Sequence, residues 1–150
     1  MSSRQPVSRP VIGWREWVEL PSLGVTAIKA KMDTGARSSA LHAVDIEQFE
    51  ENGVRMVAFS VHPRQKTTST ELRCVLPLLD ERPVRNSGGT TTLRPVIRTL
   101  LTFGDDSWPI DLSLIARDLM GFRLLLGREA IRRRYIIDPA RSYLGRNLRG

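Results

Sequence analysis

Lys29-Ala30-Lys31-Met32-Asp33-Thr34-Gly35-Ala36 joins an alternating run to a tight turn. Ile28, Ala30 and Met32 are apolar while Lys29 and Lys31 are charged, the period-two pattern of a half-buried strand. The strand ends on a carboxylate, and a small hydroxyl residue and a glycine follow it. Gly35 permits a turn that presents the Asp33 carboxylate to backbone N–H groups. Thr34 adds a hydroxyl able to bond locally or across an interface. Read alone, these residues also suit an Asx-type turn at a strand end.

Outward from this stretch, the same alternation recurs at Val57, Phe59 and Val61, and at Leu72, Cys74 and Leu76. It returns along Ile97, Thr99, Leu101 and Phe103, then Ile110, Leu112 and Leu114. Turn signals fall between the runs at Asn52-Gly53, Ser87-Gly88-Gly89 and Gly104-Asp105-Asp106. Phe122 to Leu126 is a continuous apolar run that reads as a buried strand, and 128–134 as one short helix. Tyr135 to Ile137 reads as a last strand, stopped by Pro139. Many short strands with little helix predict a closed or sandwiched β fold. A loose arm is expected over residues 1–10, one domain over 11–138 and a basic tail over 139–150.

The chain has 150 residues, 41% apolar and 26% charged, which suits a single folded domain. Its net charge is +7, and its 23 basic residues are arginines except for Lys29, Lys31 and Lys66. Arginine's planar fork matches carboxylates and phosphates, so the excess points to an acidic partner or to a biased genome. A lone cysteine, Cys74, excludes an internal disulfide and favours a reducing, cytoplasmic compartment. No apolar run reaches the roughly 18 residues a membrane helix needs, and no membrane partner is expected.

His42, His62 and Cys74 match no zinc spacing, and no phosphate-binding loop is present. Neither metal nor cofactor is expected. Cys74 shares a strand face with Leu72 and Leu76, so core packing outweighs a nucleophilic role.

Far along the chain, Phe122-Arg123-Leu124-Leu125-Leu126-Gly127-Arg128 is an apolar strand ending in glycine before the short helix. With Asp33-Thr34-Gly35-Ala36 it resembles the retropepsin-like aspartic peptidases, whose catalytic strand ends in Asp-Thr-Gly-Ala and packs on a hydrophobic-hydrophobic-Gly strand. Asn86-Ser87-Gly88-Gly89 lies where that family carries a flap tip. The longer stretches from Lys29 to His42, from Arg94 to Arg98 and from Arg117 to Arg128 resemble one bacterial branch. It is labelled ATP-dependent zinc proteases and found beside RimK-type glutamate ligases. The resemblance spans about residues 11 to 138.

It implies a mainly β, retropepsin-like closed barrel with one short C-terminal helix, acting as a two-fold homodimer. Asp33, Thr34 and Gly35 would be catalytic. Aspartic proteolysis needs two carboxylates about 3 Å apart sharing a proton, and this chain has one Asp-Thr-Gly, so the second must come from another copy. Family context implies hydrolysis of glutamate tails added to a ribosomal protein. Arg37, His42, Arg85, Arg94, Arg98 and Arg128 are the candidate substrate contacts, with Lys66 a weaker one. The alternatives are a non-catalytic basic β-barrel binding ribosomal RNA or ribosomal protein, and a zinc-dependent hydrolase. Nucleic acid is not expected, since the few aromatics form no stacking platform.

Overall fold

A computed structural model of the chain describes residues 8–64, 70–85, 88–117 and 119–145. Its strands are β1 (Val11–Gly13), β2 (Arg15–Leu20), β3 (Val25–Asp33), β4 (Ser39–His42), β5 (Val44–Glu51) and β6 (Val54–Val61). They continue with β7 (Leu72–Pro77), β8 (Asp80–Arg85), β9 (Thr91–Phe103), β10 (Asp106–Ile115), β11 (Leu124–Gly127) and β12 (Ile136–Asp138). Helix α1 (Arg128–Ile131) and a 3-10 turn at Pro21–Leu23 are the helical pieces among the described residues.

β10, β4, β11, β3, β2 and β9 pair in that order, and β9 pairs back onto β10. This closes a barrel of six strands, from which β8 extends as a seventh along β9. The fold is therefore mainly β with a closed barrel and one short helix. β5, β6 and β7 make a separate antiparallel sheet, and β1 pairs β12 in parallel.

Alternation decides which side chains fill the barrel. Ile28, Ala30 and Met32 of β3 point inward with Leu41, Ile97, Leu101, Leu112, Leu114, Leu124 and Leu126. Of these, Ile28, Ala30, Met32, Ile97, Leu101, Leu112 and Leu114 carry the period-two spacing seen in the sequence. Cys74 is buried in β7, as its shared face with Leu72 and Leu76 required. Asn52 and Gly53 turn β5 into β6 with φ of 52° and 80°, and Gly104 at φ 60° opens the turn from β9 to β10. Such left-handed values suit Asn-Gly and Gly-Asp hairpins.

Three local details differ from the sequence reading. Phe122 closes a turn with Leu119, so β11 starts at Leu124 and runs on to Gly127. The helix stops at Ile131 because Arg132 is extended and Arg133 has φ 68°. Past Pro139, where a basic tail was expected, the chain stays docked as far as Gly145. Trp14 N–H donates to Arg141 O at 2.9 Å and Tyr143 N–H to Arg15 O at 3.0 Å. The reason is Glu16, 1% exposed in β2, whose carboxylate accepts N–H bonds from Gly13, Leu144 and Gly145 at 2.6, 2.8 and 2.9 Å. A buried carboxylate demands such donors.

Among the described residues no helix is long and apolar enough to cross a membrane. Residues 1–7, Lys66, Asn86, Ser87, Arg146 and Arg149 lie outside the described residues.

Candidate active site

Asp33 is the last residue of β3, and Gly127 stands opposite it in the parallel β11. The strand's inward positions are apolar, so alternation puts Lys29, Lys31 and Asp33 on the barrel's outer face. The turn that follows closes through Ala36 N–H donating to Asp33 O at 3.1 Å. Two more backbone bonds pin it to the start of α1: Arg128 N–H to Ala36 O at 2.8 Å and Glu129 N–H to Arg37 O at 3.1 Å. Gly127 N–H donates to the Ser39 hydroxyl at 3.0 Å. Any side chain at Gly127 would collide with the Ser38 and Arg37 carbonyls. The Leu-Leu-Gly strand thus acts as a close-fitting backing plate for the Asp-Thr-Gly-Ala turn. The Asp33 carboxylate itself makes no hydrogen bond among the described residues and lies half-buried at the surface.

Register extends this face across the sheet. Leu125 stands opposite Lys31 in β3 and Ala40 in β4, Ala40 opposite Ser113 in β10, and Ser113 opposite Val96 in β9. Val96 in turn faces Asp80 in β8. Alternation adds the neighbours two residues away: His42 beside Ala40, Asp111 beside Ser113, Arg94 and Arg98 beside Val96, and Arg82 beside Asp80. One continuous outer face therefore carries Asp33, His42, Arg94 and Arg98. β8 continues the sheet beyond β9, pairing Asp80–Arg85 with 91–96.

The predicted arginines have different fates. Arg37 is tied to Glu129 at 2.6 Å, which raises its own pKa and, through that hydrogen bond first, lowers the Glu129 carboxyl below its ordinary range. Arg98 pairs with Asp111 directly across β9 and β10, at 2.8 Å. Arg94 is partly buried, and that burial first, then the nearby Arg117 charge, lowers its pKa. Arg128 reaches back over the turn, its Nη1 lying 3.5 Å from Thr34 O and 3.4 Å from Gly35 O. Arg85 alternates to the opposite side of the hairpin from Arg82 and does not join this face. His42 Nδ1 lies 2.8 Å from Arg117 O. A carbonyl only accepts, so Nδ1 carries the proton and Nε2 stays available as an acceptor in the neutral ring.

Sequence reasoning passed over Arg82, Asp111, Glu129 and Arg132, which surround a cleft beside the Asp33 turn. Asp111 alternates with Ile110 and Leu112 on a visible strand, so its outward placement was readable. Its approach to Arg82 was not, because β8 has no apolar alternation. Among the described residues no group of three or more His, Cys, Asp or Glu side chains is placed to hold a metal ion.

A closed barrel with an Asp-Thr-Gly-Ala turn clamped on a Leu-Leu-Gly strand defines the retropepsin-like class of aspartic peptidases. Residues 11–147 match the RimB-like family, retropepsin-like aspartic endopeptidases, and the chain belongs to that family. It is 47% identical over 136 residues to a probable alpha-L-glutamate ligase of Desulfotalea psychrophila, covering 91% of this chain and 29% of that protein. A Parasynechococcus marenigrum protein of the same name is 47% identical over 133 residues, covering 89% of this chain and 28% of that protein. The chain thus spans less than a third of the length of these curated relatives. A solved structure from Legionella pneumophila, of unknown function, superposes with a TM-score of 0.74 at 29% identity, covering 92% of this chain and 99% of that one.

Proposed function

We propose that this protein hydrolyses the peptide bonds of polyglutamate tails, such as those a RimK-type ligase adds to a ribosomal protein. The reacting water would be activated by a dyad of Asp33 and its counterpart in a second copy of the chain. The observation that carries the reading is Asp33 itself. It is an outward-facing carboxylate without a hydrogen bond among the described residues, held on a rigid turn at the edge of an arginine-bearing face.

Two such carboxylates close together cannot both ionise comfortably, so they share one proton. The charged one takes a proton from water while the other donates to the scissile carbonyl oxygen. The pair titrates as a unit. The backbone bonds from α1 fix the turn so that the reacting oxygens are positioned before substrate arrives. Thr34 is exposed beside Asp33, where it is available to lock the two turns of a dimer together. Arginine forks then select carboxylate-bearing residues entering the cleft. The curated relatives, named for glutamate ligation, support an acidic substrate.

The test is mass spectrometry of a glutamate-tailed peptide incubated with the protein and with Asp33→Asn. Loss of glutamates is expected only with the unmodified chain. Cleavage by the Asn variant at an undiminished rate would refute the assignment.

A further inference from the structure

Beside the Asp33 turn, between β8, β9, β10 and α1, lies an open cleft of about 330 Å³. Ser38 and Ser39 form its near edge, and Arg82, Arg98 and Arg132 project around it, with Asp111 between the first two. Its charge is unbalanced: three guanidiniums meet two carboxylates, and one of these, Glu129, is already held by Arg37. Asp111 grips Arg98 at 2.8 Å and reaches Arg82 only at 3.5 Å. Arg82 is also 3.6 Å from Asp80. Both Arg82 contacts are longer than the roughly 2.7–2.9 Å of a made charge-assisted bond. Arg82 is therefore oriented by its acidic neighbours, while most of its donors stay uncommitted among the described residues. Arg82 and Arg132 line this cleft together with Glu129, and after the Arg37 hydrogen bond and the Arg37 charge both add to the lowering of the Glu129 carboxyl.

We infer that this cleft is a specificity subsite for one glutamate side chain of the substrate, lying away from the scissile bond and held between Arg82 and Arg132. The inference rests on the peptidase reading above and deepens it. Asp111 is a positioning residue here, keeping the Arg82 and Arg98 forks facing the cleft. A neutral side chain would leave these donors unmatched, so the subsite discriminates Glu from Gln, which is nearly its equal in shape.

The experiment uses glutamate-tailed peptides in which one Glu at a time is replaced by Gln, with acid and amidated C-termini. They are cleaved by the unmodified protein, by Arg82→Gln and by Arg132→Gln, each checked for an unchanged melting temperature. For the unmodified protein, KM should rise about tenfold at one tail position when it becomes Gln, the scale of a lost charge pair. In the arginine variants KM for the all-Glu tail should rise similarly, kcat should stay within about twofold, and the position-specific penalty should vanish. Full discrimination retained in both variants overturns the subsite. So does arginine dependence that responds to amidation and not to Gln, which would assign the tail's terminal carboxylate instead. Binding of the same peptides to Asp33→Asn by calorimetry separates the two readings. Arginine-dependent binding without cleavage by the unmodified chain keeps the subsite and removes the peptidase; cleavage without arginine dependence does the reverse.

Discussion

Gly127 donates its amide to the Ser39 hydroxyl at 3.0 Å, tying the strand that backs Asp33 to the strand that leaves its turn. The contact is buried, and there is no room for a side chain on the glycine. Gly127→Ala should therefore push the 36–38 backbone away from its support. We expect a stability loss of about 1–3 kcal/mol, the usual cost of overpacking, measured by denaturant titration. Ser39→Ala should cost about 1–3 kcal/mol by leaving a buried N–H unpaired. A Gly127→Ala protein as stable as its parent would show that the turn is not clamped.

Asp33→Asn should leave stability within about 0.5 kcal/mol, since the carboxylate holds no structural partner among the described residues. It should nonetheless abolish cleavage. Mixing active chain with an excess of Asp33→Asn should suppress activity further, because under the proposed two-chain dyad mixed pairs carry a single working acid. Activity that merely scales with the amount of unmodified chain would argue for a catalytic unit of one chain.

Glu16 should behave in the opposite way. Each charge-assisted bond is worth roughly 1.5–3 kcal/mol, and its carboxylate accepts from Gly13, Leu144 and Gly145. Glu16→Ala should lose at least about 3 kcal/mol, with a smaller loss for Glu16→Gln. Removing the chain from residue 144 onward should cost less in the Glu16→Ala background than in the parent, a coupling readable by a double-mutant cycle.

Hydrogen bonding to Arg37 lowers the Glu129 carboxyl, so the pair's contribution is present above the unfolded value of about 4.3 and fades as pH falls through the folded one. Side-chain exposures of 77% for Arg37 and 39% for Glu129 keep that contribution small. The stability difference between the protein and Glu129→Gln, followed by thermal melting, should shrink on acidification and in high salt. A difference that grows at low pH would reverse the sign of the interaction.

Tyr135 titrates in the other direction. Burial first, then its 2.6 Å bond to Asp106, pushes the phenol well above its ordinary range. The unfolded phenol ionises near pH 10 while the folded one stays protonated, so stability should fall as pH rises past about 10. Tyr135→Phe should be less stable at neutral pH, with a shallower alkaline decline. Equal alkaline slopes for the two proteins would contradict this.

Much of the barrel was legible because its core strands alternate cleanly. β3, β9 and β10 announce themselves, as do β6 and β7 of the separate sheet, and Asp33-Thr34-Gly35-Ala36 with Leu125-Leu126-Gly127 locates the turn and its backing. β8 was invisible: Asp80-Glu81-Arg82-Pro83-Val84-Arg85 is an edge strand whose exposure removes the hydrophobic signal. β5 is largely exposed for the same reason. The parallel pairings of β1 with β12, β3 with β11 and β4 with β10 join distant stretches, which no local pattern specifies. Glu16 sits on a buried phase of β2, but besides Gly13 its partners are the Leu144 and Gly145 amides at the far end of the chain. The arginines were legible as a class and not as individuals, since register alone separates Arg98 and Arg82 from Arg85.

The parallel register of Val11 with Ile136, Ile12 with Ile137 and Gly13 with Asp138 has a mechanical consequence. Tension drawn through the two ends of the fold pulls these strands along their length in opposite directions, so the bonds between them are loaded together and cannot peel singly. Single-molecule stretching should record higher rupture forces end to end than from an attachment at the Asn52-Gly53 hairpin.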